Sequence, residues 1–196
     1  MDPGRVSSNQ TIEVPELPFG YKFHPTSSEV VLYYLVPKVK GEPLPSGYVK
    51  DLDVYKFDPH QIPLNESKYS REDEAYFFAP VQEEEILQGE GNLTRATPNG
   101  YWKSYEKNIP IYARDGSYIG YKNKLVFYDG KDLSNGVKTD WKLVEYRTNF
   151  RLNGNLERLM VCKINLNAKA EEIPDEVDEA ILGDNESVES ENNNVS

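Results

Sequence analysis

The stretch GYWKSYEKNIPIYARDGSYIGYKNKLVFYDG, residues 100–130, decides the fold class. Aromatic and β-branched side chains recur through it, and these suit a pleated, half-buried surface. Asp115-Gly116 separates the runs 109–113 and 118–128, and Asp-Gly accommodates the two consecutive positive φ angles of a tight hairpin. Strands are therefore expected at 100–105, 109–113 and 118–128. Two further candidates follow at 137–147 and 159–164, with Asn135-Gly136 and Asn153-Gly154 as additional turn signals. Hairpins in series build an antiparallel sheet, which needs a covering layer on its apolar face.

Working outward toward the N-terminus, Ala75-Tyr76-Phe77-Phe78-Ala79 also has strand composition. Thr26-Ser27-Ser28-Glu29 is a capping box, in which a hydroxyl and a carboxylate satisfy each other's backbone amides. A helix is expected from Ser27, with Val30, Val31, Tyr34 and Leu35 on one face and its regular part ending at Pro37. Prolines 43, 45, 59 and 63 make the span between irregular, with one brief strand or turn. Glu83 to Gly91 is acidic and then Gly-rich, and is expected as an exposed loop. The fold class is α+β, a twisted antiparallel β-sheet flanked by a few short helices. Residues 1–16 are expected as a flexible leader and 17–169 as the domain. Residues 170–196 carry ten acids and no bases, and are expected as a disordered acidic C-terminal tail.

The 196 residues are 38% hydrophobic, enough for a core, and include one cysteine, Cys162, so no intrachain disulfide can form. Met1 to Gln10 has neither a cationic start nor an apolar run, and no segment has the ~20 apolar residues of a membrane span. The chain is accordingly read as intracellular, with no membrane partner, and the sequons at Asn65, Asn92 and Asn185 as chance. The net charge of -11 conceals a division along the chain. Residues 1–94 hold 8 Lys/Arg against 16 Asp/Glu, residues 95–169 hold 14 against 7, and residues 170–196 hold none against 10. A basic middle segment can form a local electropositive face, because exposed charges are screened beyond ~8 Å.

No catalytic constellation is present. The two histidines, His24 and His60, lie in no nucleophile motif, no Cys/His spacing suits a metal, and no glycine loop cradles a nucleotide. Neither metal nor cofactor is expected. Tyr101-Trp102-Lys103-Ser104-Tyr105-Glu106-Lys107 stands out instead. In an extended strand Lys103, Tyr105 and Lys107 share one face while Trp102 anchors the other. Two cations beside an aromatic suit a phosphate backbone and a groove wall. The bland alternative is a solvated edge with snorkelling lysines.

Several blocks together resemble the plant NAC domain transcription factor family. LPFGYKFHPT (17–26) is similar to its opening LPPGFRFHPT block and Ala75 to Pro80 to its YFFSP block. Arg95-Ala96-Thr97, Gly100-Tyr101-Trp102-Lys103, GYKNKLVFYDGK (120–131), Gly136-Val137-Lys138-Thr139-Asp140-Trp141 and Glu145-Tyr146-Arg147 follow in family order. The resemblance spans about residues 17–169. It implies a nuclear, sequence-specific transcription factor, not an enzyme, binding double-stranded DNA at CGT-containing sites as a homodimer or heterodimer with other NAC proteins. It implies that one sheet edge enters the major groove at Trp102–Lys107. DNA contacts are then expected from Arg95, Lys103, Tyr105 and Lys107, and phosphate contacts from Lys122 and Lys138. The dimer interface is expected at Leu17, Pro18 and Gly20, with reciprocal salt bridges between Lys22 and Glu29.

The chain also departs from the family. Ser104-Tyr105-Glu106 replaces Ala-Thr-Gly after Trp-Lys, adding bulk and a carboxylate where close groove approach is needed. Asn123 stands at a usual lysine, implying one phosphate contact fewer, and Val144 at a usual histidine. The acidic run Glu83-Glu84-Glu85 adds negative potential. An alternative expectation follows, a NAC-like dimerising modulator with weak or no DNA binding of its own.

Overall fold

The computed structural model describes residues 22–45, 47–66, 73–81, 93–153, 155–156 and 158–166. The leader 1–16, the acidic run Glu83-Glu84-Glu85 and the segment 170–196 lie outside them. So do Leu17, Pro18 and Gly20, expected at a dimer interface.

The main sheet has seven strands in the order β1-β2-β9-β6-β5-β4-β3. They are β1 (Val49–Asp51), β2 (Glu74–Pro80), β3 (Thr94–Ala96), β4 (Gly100–Tyr112), β5 (Tyr118–Asp129), β6 (Val137–Thr148) and β9 (Leu159–Leu166). A separate short ribbon pairs β7 (Arg151–Leu152) with β8 (Asn155–Leu156). The expected antiparallel pairing holds everywhere except between β1 and β2, which run parallel. The two candidates at 100–105 and 109–113 are one strand, β4, interrupted by bulges rather than by a turn.

Asp115-Gly116 does turn the chain from β4 to β5, but only Gly116 has a positive φ, 80°. Gly116 N–H donates to Ala113 O, and Ala113 N–H to Ser117 O, closing a three-residue loop. This is the alternative hairpin geometry in which a turn is followed by one left-handed residue. Asp115 works through its side chain instead, accepting from the Ser117 amide at 2.9 Å. Asn135-Gly136 likewise closes a turn that starts at Asp132, since Asn135 N–H donates to Asp132 O.

The capping box forms as its residues dictate, with Glu29 N–H donating to Thr26 Oγ1 and Thr26 N–H to Glu29 Oε2. The helix begins at Ser27 with one α turn, α1 (Ser27–Glu29). It continues as a π-helical segment (Val30–Leu35) and ends as α2 (Val36–Lys40). Pro37 therefore does not end it. A proline ring in an ordinary helix collides with the carbonyl four residues back and supplies no amide. Here the turn just before it is widened, with Val36 N–H reaching back to Val31 O. Gly41, left-handed at φ 69°, stops the helix, and Glu42 N–H closes on Pro37 O.

Each face of the sheet has its own core. On one, Trp102, Leu125, Phe127, Leu143, Met160, Cys162 and Phe77 pack beneath the irregular segment carrying Val54, Tyr55, Ile62 and Leu64. On the other, Val30, Val31 and Leu35 of the helix pack on Tyr76, Phe78, Ile111, Tyr146 and Val161. Phe23 wedges between them, within 5.3 Å of the rings of Tyr34, Tyr48 and Tyr76.

Candidate nucleic-acid interface

β3 covers the outer side of β4 only from Tyr101 to Lys103. Ser104 adds the last link, its amide donating to Leu93 O while its hydroxyl accepts from Leu93 N–H, each at 2.8 Å. Beyond Ser104, among the described residues, β4 is the edge of the sheet, and there its register with β5 breaks at three places, the first two of which put an extra residue in β4. Ser104 stands opposite Leu125, Glu106 opposite Lys124 and Ile109 opposite Lys122, so β4 carries one extra residue in each interval. Bulges of this kind re-aim side chains and end pairing. The second is stabilised from the core side, where Asn108, at φ 54°, donates its amide to Asn123 Oδ1 at 2.9 Å.

The expected sharing of one face by Lys103, Tyr105 and Lys107 does not survive the first bulge. Tyr105 is swung to the rim, 51% exposed. Glu106 takes the place beside Lys103's face and forms an ion pair with Lys124 at 3.3 Å. Lys107 is exposed farther along the same edge. Lys103 is half-buried, flanked by Thr94 and Val126. Trp102 is fully buried against Phe127 and anchors the strand as expected. Lys138 is exposed near the start of β6, across from Tyr128, which stacks on Tyr101 at 5.2 Å.

Arg95 is displaced furthest from expectation. Its side chain is buried, and its Nε donates to Glu145 Oε1 at 3.1 Å. The same carboxylate accepts from Tyr55 Oη, and its other oxygen from Asn123 Nδ2 at 2.9 Å. Burial alone works against the guanidinium's charge, but Glu145 and then Tyr55 outweigh it and raise the pKa of Arg95. Burial, followed by the charge of Glu145, pushes the Tyr55 hydroxyl and the Cys162 thiol well up, so both stay neutral. Arg95 thus lies inside the fold and not on the exposed surface that a phosphate contact needs. Leaving either charge of such a pair without its partner costs ~3–5 kcal/mol.

Lys122 is also committed inward. Its Nζ donates to Ser27 Oγ at 2.9 Å and ties β5 to the helix start. Of the expected contacts, then, Lys103, Tyr105 and Lys107 lie together on β4, Lys138 lies two strands away, and Arg95 and Lys122 serve internal bonds. Lys22 is exposed, and Glu29 is held by its cap. Asn123 is buried, so the residue exchange there does not remove a surface cation. The sequence reading missed Lys124, Lys142 and Lys163, which share the face of Lys103, because only strand register brings them together.

Among the described residues no group of three or more His, Cys, Asp or Glu could hold a metal, and no helix is long and apolar enough to cross a membrane. The described residues thus form a two-faced sheet whose β4 edge is bulged, aromatic-bearing and flanked by lysines. The profile of the No apical meristem (NAM) protein family matches residues 18–148, and the chain belongs to that family, whose relatives carry the NAC name. It is 42% identical over 134 residues to NAC transcription factor 56 of Arabidopsis thaliana and 39% identical over 156 residues to NAC domain-containing protein 2 of Solanum lycopersicum. These alignments cover 68% and 76% of this chain but only 35% and 54% of those relatives. The first of these relatives is named as a transcription factor and the second as a NAC domain-containing protein.

Proposed function

We propose that this chain is a nuclear, sequence-specific DNA-binding domain that acts as a dimer and sets the exposed edge of β4 in the major groove. The supporting observation is that edge itself. Two bulges push Tyr105 and Lys107 outward on a strand that Trp102 fixes from behind. Lys103, Lys107 and Lys138 supply phosphate contacts, and Tyr105 supplies the surface that meets base edges or sugar. Arg95 acts indirectly, holding β3 against β6 through Glu145. Lys22 and Glu29 are the charged pair for reciprocal bridges across a dimer with itself or another NAC protein. Glu29 can serve both, because its cap uses Oε2. Relatives of this kind are transcription regulators, and no catalytic role is proposed.

One observation favours a second reading, in which the chain dimerises but binds DNA weakly. Glu106 sits on the docking edge with its side chain 44% exposed, and Lys124 is only one cation against it. Fluorescence anisotropy with a CGT-containing duplex and a scrambled duplex, alongside sedimentation of the free chain, separates the readings. Preference for the CGT duplex supports DNA recognition. A dimer with no preference supports the modulator, and a monomer with no preference contradicts both.

A further inference from the structure

The helix covers only one end of its sheet face, and the remainder carries lysines in register. One rung across the sheet reads Lys103, Val126, Lys142, Asn165, Glu74 from β4 to β2. The next reads Glu106, Lys124, Val144, Lys163, Tyr76. Four lysines thus share one face with two carboxylates at its outer margins. Glu106 pairs with Lys124 at 3.3 Å, and Glu74, itself buried, pairs with Lys163 at 2.9 Å. On these two rungs four lysines stand against two carboxylates, and the lysines are about 10 Å apart across alternate strands.

β9 ends at Leu166, one residue beyond Asn165, and Asn165 stands opposite Lys142. The chain therefore leaves the sheet beside the first lysine rung, and residues 170–196 follow with ten acids and no bases. At random-coil dimensions a chain of this length would reach ~25–30 Å, whereas Lys103, three strands from β9, lies only about 15 Å away.

We propose that residues 170–196 dock on this lysine face of their own chain, as an internal polyanion that competes with DNA at Lys103. The interaction is electrostatic, so it weakens as salt rises. Its competitive consequence rests on the DNA-binding reading above; the docking itself does not.

Zero-length carbodiimide cross-linking of the full chain, with isotope-labelled and unlabelled copies mixed, tests the docking. The expected result is intramolecular links from carboxylates of 170–196 to Lys103, Lys142 or Lys163, lost in high salt. Links spread evenly over other lysines such as Lys38, Lys56 and Lys131, links only between copies, or no links from this segment would overturn it. DNA binding by a full-length variant with all ten acids changed to Asn or Gln tests the consequence. About tenfold tighter binding at low salt, a usual size for coupling between two sites, is expected, with the gap closing in high salt. Equal binding overturns the competition. If neither chain binds DNA, the DNA-binding reading fails, while the cross-links still decide the docking.

Discussion

Glu145 is the residue on which the interior of the candidate site converges. Its carboxylate holds Arg95 of β3, Asn123 of β5 and Tyr55 of the covering segment, and Asn123 in turn holds the bulge at Asn108. A buried carboxylate is tolerable only when its charge and lone pairs are met this way. In the sequence, Arg95 and Asn123 looked like surface positions because their motifs are basic, and periodicity alone does not separate a buried cation from a solvated one. This changes what Asn123 is worth. Restoring lysine by Asn123→Lys would add a phosphate contact only from a surface position, which would steepen the log-log salt slope of DNA binding by ~0.9. The expected slope is unchanged, and a salt titration checks it. Asp58 is a second buried carboxylate, accepting from Thr97 Oγ1, the Asn99 amide and Asn99 Nδ2. Desolvation raises its pKa, but these hydrogen bonds together outweigh it and hold the group below the ordinary 3.8. A depressed pKa contributes stability that is complete above the ordinary value and is lost as pH falls through the folded one. Asp58→Asn should therefore cost ~1.5–3 kcal/mol at neutral pH in denaturant unfolding, with the gap to wild type narrowing below pH 3.8. A gap independent of pH would rule out this role.

At the scale of elements, the strands were readable because aromatic and β-branched runs alternate with turn residues, and the capping box placed the helix start. What was not readable was register. Nothing in Tyr105 or Glu106 announces that both stand against one residue of β5, so the faces of Lys103, Tyr105 and Lys107 were misassigned. Pro37 misled for a similar reason, since the widened turn that admits it depends on the helix seating Val30, Val31 and Leu35 on the sheet. The parallel pairing of β1 is also a tertiary outcome, as three residues carry no directional signal. Gly120, by contrast, shows why a motif glycine is needed. An added Cβ there would lie 2.0 Å from Arg147 O, a backbone atom that cannot move without breaking the β5–β6 ladder. Gly120→Ala should destabilise the domain by ~1–3 kcal/mol or more, measured by thermal or denaturant unfolding. An unchanged midpoint would show that the two strands are less tightly apposed.

For the whole molecule, the sheet divides its labour between two faces and an edge. One face is sealed by the segment around Val54 to Leu64, the other is half covered by the helix and half lysine-bearing, and among the described residues β4 beyond Ser104 is an unpaired edge. Charge follows this plan in part, because eight of the 14 cations of residues 95–169 lie on strands β4, β5, β6 and β9 while 26 of the 33 acids lie elsewhere in the chain. The divided charge was visible in the sequence, but its gathering on one face required the register. Under the proposed function, the β4 edge reads bases while the outlying lysines only hold phosphate. The most direct test compares Tyr105→Ala and Lys138→Ala with the wild-type chain on a CGT duplex and on duplexes with one of those bases changed. Tyr105→Ala is expected to shrink the preference for CGT by the ~1–3 kcal/mol typical of a base contact, and Lys138→Ala to weaken binding to all duplexes alike. Preference that is untouched by Tyr105→Ala but lost with Lys138→Ala would contradict the placement of the reading edge on β4.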